Sequence, residues 1–315
     1  MAGDSPARGG FVLPQTGIFA QGTAAHHFLE LDLNAGVEPV DAVASFRRLR
    51  APEVSSGGVN VVVAYAAAAW SAVAPPHLVP SGLAPFRTVE GRDGHSAPGT
   101  QHDAWVWISG AAPDITWDHA RAAMRAVSDV ASLADERAAF TYRDGRDMTG
   151  FVDGTANPPT RTAPQVAMVP AGAPGEGGSH VLAMRWVHRL DAFQALPVAD
   201  QEGVIGRTKQ ESIELADTVK PATAHIARVE IHDAAGSELA IFRRSVPYGS
   251  VAEHGLCFIA FSGDRLRFDV MLERMFGLAD DGLRDRLTDF SHPVSGGYYF
   301  APSLNALAEV GGAHG

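Results

Sequence analysis

Phe28-Leu29-Glu30-Leu31-Asp32-Leu33, followed from Pro39 to Arg50 by PVDAVASFRRLR, is the stretch on which the fold reading rests. In the first segment Leu29, Leu31 and Leu33 share one face and Glu30 and Asp32 the other, the period of a half-buried strand. In the second, Val43, Phe46 and Leu49 recur on one side of a helix, and Pro39 suits its first turn. Next come the apolar run Asn60 to Tyr65 and the strand-like AWVWI of Ala104 to Ile108. A longer helix is expected from near Thr116, with Ala120, Met124, Val127 and Ala131 at helical spacing.

The same grammar returns further on. Val181 to Val187 reads as a strand, and Arg228 to Ile231 pairs with Leu239 to Phe242 around an Asp233–Gly236 turn. Leu256 to Phe261 is another strand, before a helix whose Phe268, Met271, Leu272, Met275 and Phe276 form one stripe. That stripe reads as core packed on a sheet rather than as a cofactor box. Strands followed by a returning helix, twice over, predict an α+β protein of two related halves. Gly- and Pro-rich loops, chiefly Pro158–Pro159 and PAGAPGEGGS from Pro170 to Ser179, lie between them.

Composition narrows the function classes. The chain has 315 residues, 46% hydrophobic and 19% charged, enough to bury a core and enclose a ligand. Its formal net charge of −11, without basic clusters, argues against nucleic acid or an anionic membrane as partner. The single cysteine, Cys257, lies in the apolar run GLCFIAF and reads as a small core residue. No disulfide framework or Cys-based haem attachment follows from one cysteine. The N-terminal MAGDSPARGGFVLPQ shows neither a twin-arginine pair nor an apolar signal core, so the expected location is cytoplasmic.

Three segments hold residues suited to chemistry. In Gly150-Phe151-Val152-Asp153-Gly154-Thr155 two glycines flank a carboxylate, letting the backbone bend sharply and approach a flat ligand. Taken alone, Asp153 reads more plainly as an Asp–Gly turn residue. In Pro221-Ala222-Thr223-Ala224-His225 a histidine entering a strand suits an axial ligand of haem iron, but there are 13 histidines. His180, His188, His254 and His292 are its rivals. In Phe242-Arg243-Arg244-Ser245, alternation points the two arginines to opposite faces, so one of them can enter a pocket. Arg207 suits an anionic group such as a propionate, and Asp289 suits a carboxylate behind the axial histidine; a surface charge and a turn residue are the plainer readings.

Read together, GFVDGTANP (150–158), IGRTK (205–209), AHIAR (224–228), the R-x-x-x-P-Y-G segment from Arg243 and DFSHPVSGGYYFAPS (289–303) resemble the dye-decolourising peroxidases, in the family's order. The compact length and missing export signal are similar to its cytoplasmic, B-type branch. The resemblance implies two ferredoxin-like halves, 1–145 and 146–315, each an antiparallel sheet with packed helices, and non-covalent haem b in the second. It makes His225 the proximal ligand, Asp289 the acid bonded to it, and Asp153 and Arg243 the distal pair. Arg207 falls beside a haem propionate, with Gly154 and Thr155 also toward the cofactor. Ser245 stands where the B-type pattern has Asn, and counts with the distal residues because it would reposition distal water.

The activity so implied is a haem peroxidase. It would reduce hydrogen peroxide through a ferryl intermediate and oxidise dyes or other small aromatic one-electron donors, as a homo-oligomer. The alternative is a non-catalytic haem-binding protein for storage, delivery or iron recovery. Trp105, Trp107, Tyr298 and Tyr299 are candidate surface relays for electrons. The C-terminal LNALAEVGGAHG carries no recognisable encapsulation motif and is expected to lack structure.

Overall fold

The computed structural model describes residues 12–49 and 58–312. Met1–Phe11 and Arg50, the expected end of the first helix, lie outside these residues. The strands are β1 Ala25–Leu33, β2 Val59–Tyr65, β3 Val89–Glu90, β4 Ser96–Ala97, β5 Ala104–Gly110, β6 Ala131–Phe140, β7 Ser179–His188, β8 Phe242–Arg243, β9 Val246–Gly249, β10 His254–Ser262 and β11 Ser291–Ala301. The helices are α1 Pro39–Phe46, α2 Ala67–Val73, α3 Pro113–Val127, α4 Ala163–Ala167, α5 Leu190–Gln194, α6 Val198–Ile205, α7 His225–Val229, α8 Leu266–Met275 and α9 Leu304–Gly312. The predicted α+β class holds.

One antiparallel sheet runs through both halves in the order β6-β1-β5-β2-β11-β7-β10-β8, with β9 also on β10. A single residue pair, Phe300 with Tyr65, joins the halves' strands at the β11–β2 seam. Leu29 and Leu31 face α1, α2 and α3, whose Val43, Phe46, Trp70, Ala120 and Val127 complete a closed apolar core. The opposite faces, with Phe28, Trp105 and Trp107, pack on Val181, Ile259 and Phe261 of the second half. Strand alternation thus buries both faces of the first-half sheet.

That double burial corrects the reading of Glu30. Its carboxylate is inside the seam, where Tyr299 Oη donates to Oε2 at 2.9 Å. Burial pushes Glu30 up to about 7, against the pull of that hydrogen bond. The aromatic candidates are likewise interior: Trp105, Trp107 and Tyr299 are each 1% exposed and Tyr298 4%, so none is a surface relay. Cys257 is buried, as a core residue should be.

Other differences have local causes. α3 begins at Pro113, a residue preorganised for a first turn, and stops at Val127, so Ala131 opens β6 instead. β6 reads ASLADERAAF, too polar for the alternation test because it is an edge strand paired to β1 alone. Of the expected strand Arg228–Ile231, Arg228 and Val229 belong to helix α7; the hairpin is reduced to the His232–Glu238 bridge and a Leu239 N–H bond to the Ile231 carbonyl, around the Asp233 turn. Leu304–Gly312 of the C-terminal segment are helix α9, whose Ala306, Leu307 and Val310 pack into the first-half core, and its last three residues lie outside the described ones.

Candidate active site

A cavity with about 980 Å³ of space free of protein atoms, part of it continuous with solvent, lies in the second half. Leu182, Met184 and Trp186 of β7 form one wall, and Phe268, Met271, Leu272 and Met275 of α8 another. The Met and aromatic stripe is therefore both: part of a buried cluster, and lining of a cavity.

His225 lines this cavity from the first position of α7, after a turn whose Ala224 N–H bonds Pro221. Its Nδ1 is 2.6 Å from Oδ2 of Asp285, a residue with no solvent exposure. A carboxylate only accepts, so Nδ1 carries the proton and the Nε2 lone pair is left free. Among the described residues no protein group bonds that nitrogen. His188 also lines the cavity, but Asp147 and Ser291 occupy both its ring nitrogens, at 2.9 and 2.8 Å. Of the remaining rivals, His180, His254 and His292 do not line it.

Asp289 is not the partner of His225. A short 3-10 turn, Arg286–Asp289, starts at Asp285, whose Oδ1 accepts from the Leu287 N–H at 2.8 Å as an N-cap. This turn aims Asp285 inward and leaves Asp289 on the outer side, 2.8 Å from Arg284 and 3.6 Å from His95. The motif D-R-L-T-D holds an N-cap signal that would have favoured the earlier acid.

Asp153 and Arg243 come together as expected, both lining the cavity. The Asp153 turn is tight: Oδ1 accepts from the Gly154 N–H at 2.6 Å, and the backbone N–H reaches Gly145 at 3.1 Å. Gly154 sits at φ +75°, where a Cβ would approach Asn157 Nδ2 to 3.2 Å. Burial pushes the Asp153 carboxyl above its ordinary value, opposed by the Arg243 guanidinium. Arg243 is held by Asn157, whose side chain donates to its carbonyl and accepts from its N–H, both at 2.8 Å. Arg244 takes the opposite face and lies 5.5 Å over the Trp107 ring, as alternation requires.

The other expected residues stand further off. Ser245 lines a second recess beyond Asp153 and Arg243, and its Oγ accepts from the Ile259 N–H at 3.3 Å. Gly154 lines that same recess rather than the cavity. Thr155 is exposed and lines neither, because the chain turns outward after Gly154. Arg207 bonds Glu214 at 3.2 Å and the Ser212 carbonyl at 2.9 Å, in an adjoining recess that shares Val229, Arg243 and Met271 with the cavity.

A buried polar row escaped the sequence reading. Asp147, His188 and Ser291 line the cavity in hydrogen-bonded order, and Asp147 also accepts from the Thr149 N–H at 2.7 Å. Burial works to raise the Asp147 carboxyl, yet His188 and Thr149 together hold it below the ordinary range. Its three side chains come from a loop, β7 and β11, which no sequence spacing links. Ser291 and His188 are register partners across two strands.

Comparison with known proteins follows this geometry. The family models described as Dyp-type peroxidase, N-terminal and C-terminal, match residues 15–141 and 144–306. A dye-decolorizing peroxidase of Rhodococcus erythropolis is 34% identical over 293 residues, 90% of this chain and 85% of the relative. One of Mycobacterium tuberculosis is 36% identical over 253 residues, 79% and 75% of the two chains. A variant of DypB from Rhodococcus jostii RHA1, solved in complex with heme, superposes with a TM-score of 0.86 at 32% identity, covering 95% of this chain and 99% of that one.

Proposed function

Given that this chain belongs to the Dyp-type peroxidase family, we propose that its cavity holds haem b on His225 and reduces hydrogen peroxide at the expense of small aromatic donors. The observation that carries the reading is one imidazole, pinned by a fully buried carboxylate and free at its other nitrogen, lining the same cavity as Asp153 and Arg243. The lining fits a flat, largely apolar macrocycle with polar edges. Its walls are Leu, Met and Phe, and Trp186 Nε1 is a buried donor without a protein partner.

Haem, when bound, supplies the iron at which peroxide is reduced and from which donors are then oxidised. The chain's own residues do the rest. Asp285 holds the His225 ring in one tautomer and makes its free nitrogen a stronger donor. Asp153, near Arg243 and partly desolvated, moves a proton from one peroxide oxygen to the other. Arg243 stabilises the negative charge that gathers on the departing oxygen. Asp147, His188 and Thr149 brace the loop that carries Asp153, and the apolar walls limit water. Arg207 sits within reach of the cavity's edge for a carboxylate side arm, once Glu214 yields it.

The test is an absorption spectrum of the haem-reconstituted wild type and of His225→Ala, before and after peroxide. A histidine-ligated spectrum that responds to peroxide is expected in the first alone. An unchanged histidine-ligated spectrum in the alanine variant overturns the assignment. A cytoplasmic homo-oligomer belongs to the same reading; light scattering of the purified protein checks the assembly. No helix among the described residues is long and apolar enough to cross a membrane.

A further inference from the structure

Beyond Asp153 and Arg243 lies the second recess, with about 920 Å³ of space free of protein atoms and partly open to solvent. Its charged and titratable lining is His26, Tyr142, Arg146, Asp153, Arg243 and Arg244. Arg146 bonds Asp144 at 3.0 Å and the carbonyls of Gly150 and Lys209. Arg243 is matched by Asp153, the one carboxylate of the lining. His26 is neutral: burial, then the charge of Arg244, lowers it to about 4. Its Nδ1 accepts from Trp107 Nε1 at 3.1 Å, so its Nε2 carries the proton.

Arg244 is the cation left over. Its backbone N–H bonds Ile259, but among the described residues its guanidinium has no hydrogen-bond acceptor or ion-pair partner in the protein. It rests on the Trp107 face instead. Burial alone lowers it to about 10, with no carboxylate acting on it, so it stays charged at neutral pH. A partly desolvated guanidinium without a counter-ion is costly, and its planar fork matches a carboxylate. In a chain of net charge −11, an unmatched cation in a concave, partly enclosed recess is a local attractor for anions. Tyr142, with the Arg143 guanidinium 4.9 Å over its ring, lines the same recess, and so does Phe242, whose buried ring stacks on Phe19.

We propose that this recess is a binding subsite for an aromatic carboxylate, whose acidic group pairs with Arg244 while its ring lies beside Tyr142. The subsite names the class of donor for the peroxidase reading and rests on it for its use, though not for binding. Asp153 at the inner end disfavours a second negative charge, which limits the ligand to one acidic group pointed at Arg244.

The experiment is calorimetric titration of the haem-loaded protein with 4-hydroxybenzoate and, separately, with 4-hydroxybenzamide. The acid is expected to bind the wild type more tightly than the amide, and to weaken as salt is raised. Arg244→Gln should weaken the acid by about tenfold or more, the scale of a lost charge-assisted pair, and leave the amide nearly unchanged. Arg244→Lys, which keeps the charge without the fork, should fall between. Should Arg244→Gln not fold, the acid–amide difference and the lysine variant still decide. Equal affinity for acid and amide, or an unaltered acid affinity in both variants, overturns the subsite. Loss of acid binding with peroxide turnover of neutral phenols intact counts against the subsite alone. Intact acid binding without any peroxide-dependent spectrum counts against the peroxidase reading alone.

Discussion

The two halves use the same strand-and-helix grammar and reach opposite ends. In the first, α1, α2, α3 and α9 close on Leu29, Leu31 and Val106 in a cluster that holds no charged group. In the second, α8 lies across β7 but stands off from it, and the space between them is a cavity. The wedge is the pair of polar segments, the Asp147–Asp153 loop and α7, that enter where the first-half cluster has no charged side chain. A helix can cover a sheet either to exclude water or to make room, and what decides is the residues inserted beside it. His188 and His225 repeat the contrast within the cavity: one is satisfied at both nitrogens and braces, the other is satisfied at one and is left to ligate.

The contrast breaks most easily in the packed half. Phe46, with no exposure, should cost about 3–5 kcal/mol as Phe46→Ala, whereas Met271→Ala on the cavity wall should cost about 2 kcal/mol or less in haem-free protein. Denaturant unfolding of both variants measures it; equal losses would mean that α8 is packed as tightly as α1.

In the second half chemistry should suffer more than stability. Arg243→Leu should slow the peroxide reaction about 10³-fold and Asp153→Ala about 10²-fold, read by stopped-flow. Equal losses would contradict the ranking of charge stabilisation over proton transfer. Because Asp153 is raised and acts as a base, the rate should fall as pH drops through its elevated value, and Asp153→Asn should erase that limb.

A smaller effect separates the two acids near His225. Asp285→Asn should lower haem affinity or peroxide rate by about 10–100-fold, and Asp289→Asn should be nearly silent. A silent Asp285→Asn would return the role to some other group.

The mildest effect sits at the seam between the halves. Burial raises Glu30 to about 7 in the fold from an ordinary 4.5 when unfolded, so the folded state holds a proton the unfolded chain has released between those values. Stability should therefore decline as pH rises from about 4.5 to about 7, by about 1–3 kcal/mol, and then level off. Glu30→Gln should flatten that decline in pH-dependent thermal melts.

The period-2 and period-3.6 patterns were enough to locate β1, β2, β5, β7, β10, α1, α3 and α8, because burial on one face imprints itself on neighbours in the chain. GFVDGTANP marked Asp153 for the same reason, a tight turn being a local event; AHIAR marked His225, but its segment reads as a strand entry and folds as the start of α7. Pairing across space leaves no such imprint. Asp285 and Asp289 are both acids ahead of the same strand, and only the turn between them decides which one faces the imidazole. Ser245 and Thr155 are near the site in sequence yet turned away from it, and Asp147, His188 and Ser291 meet only because β7 and β11 bring them into register. Short α9 and edge-strand β6 were illegible alone, since each owes its structure to a neighbour distant in the chain. Spacing along the chain determined what each segment could become; where hydrogen-bond partners lie far apart in sequence, only the folded backbone could choose among them.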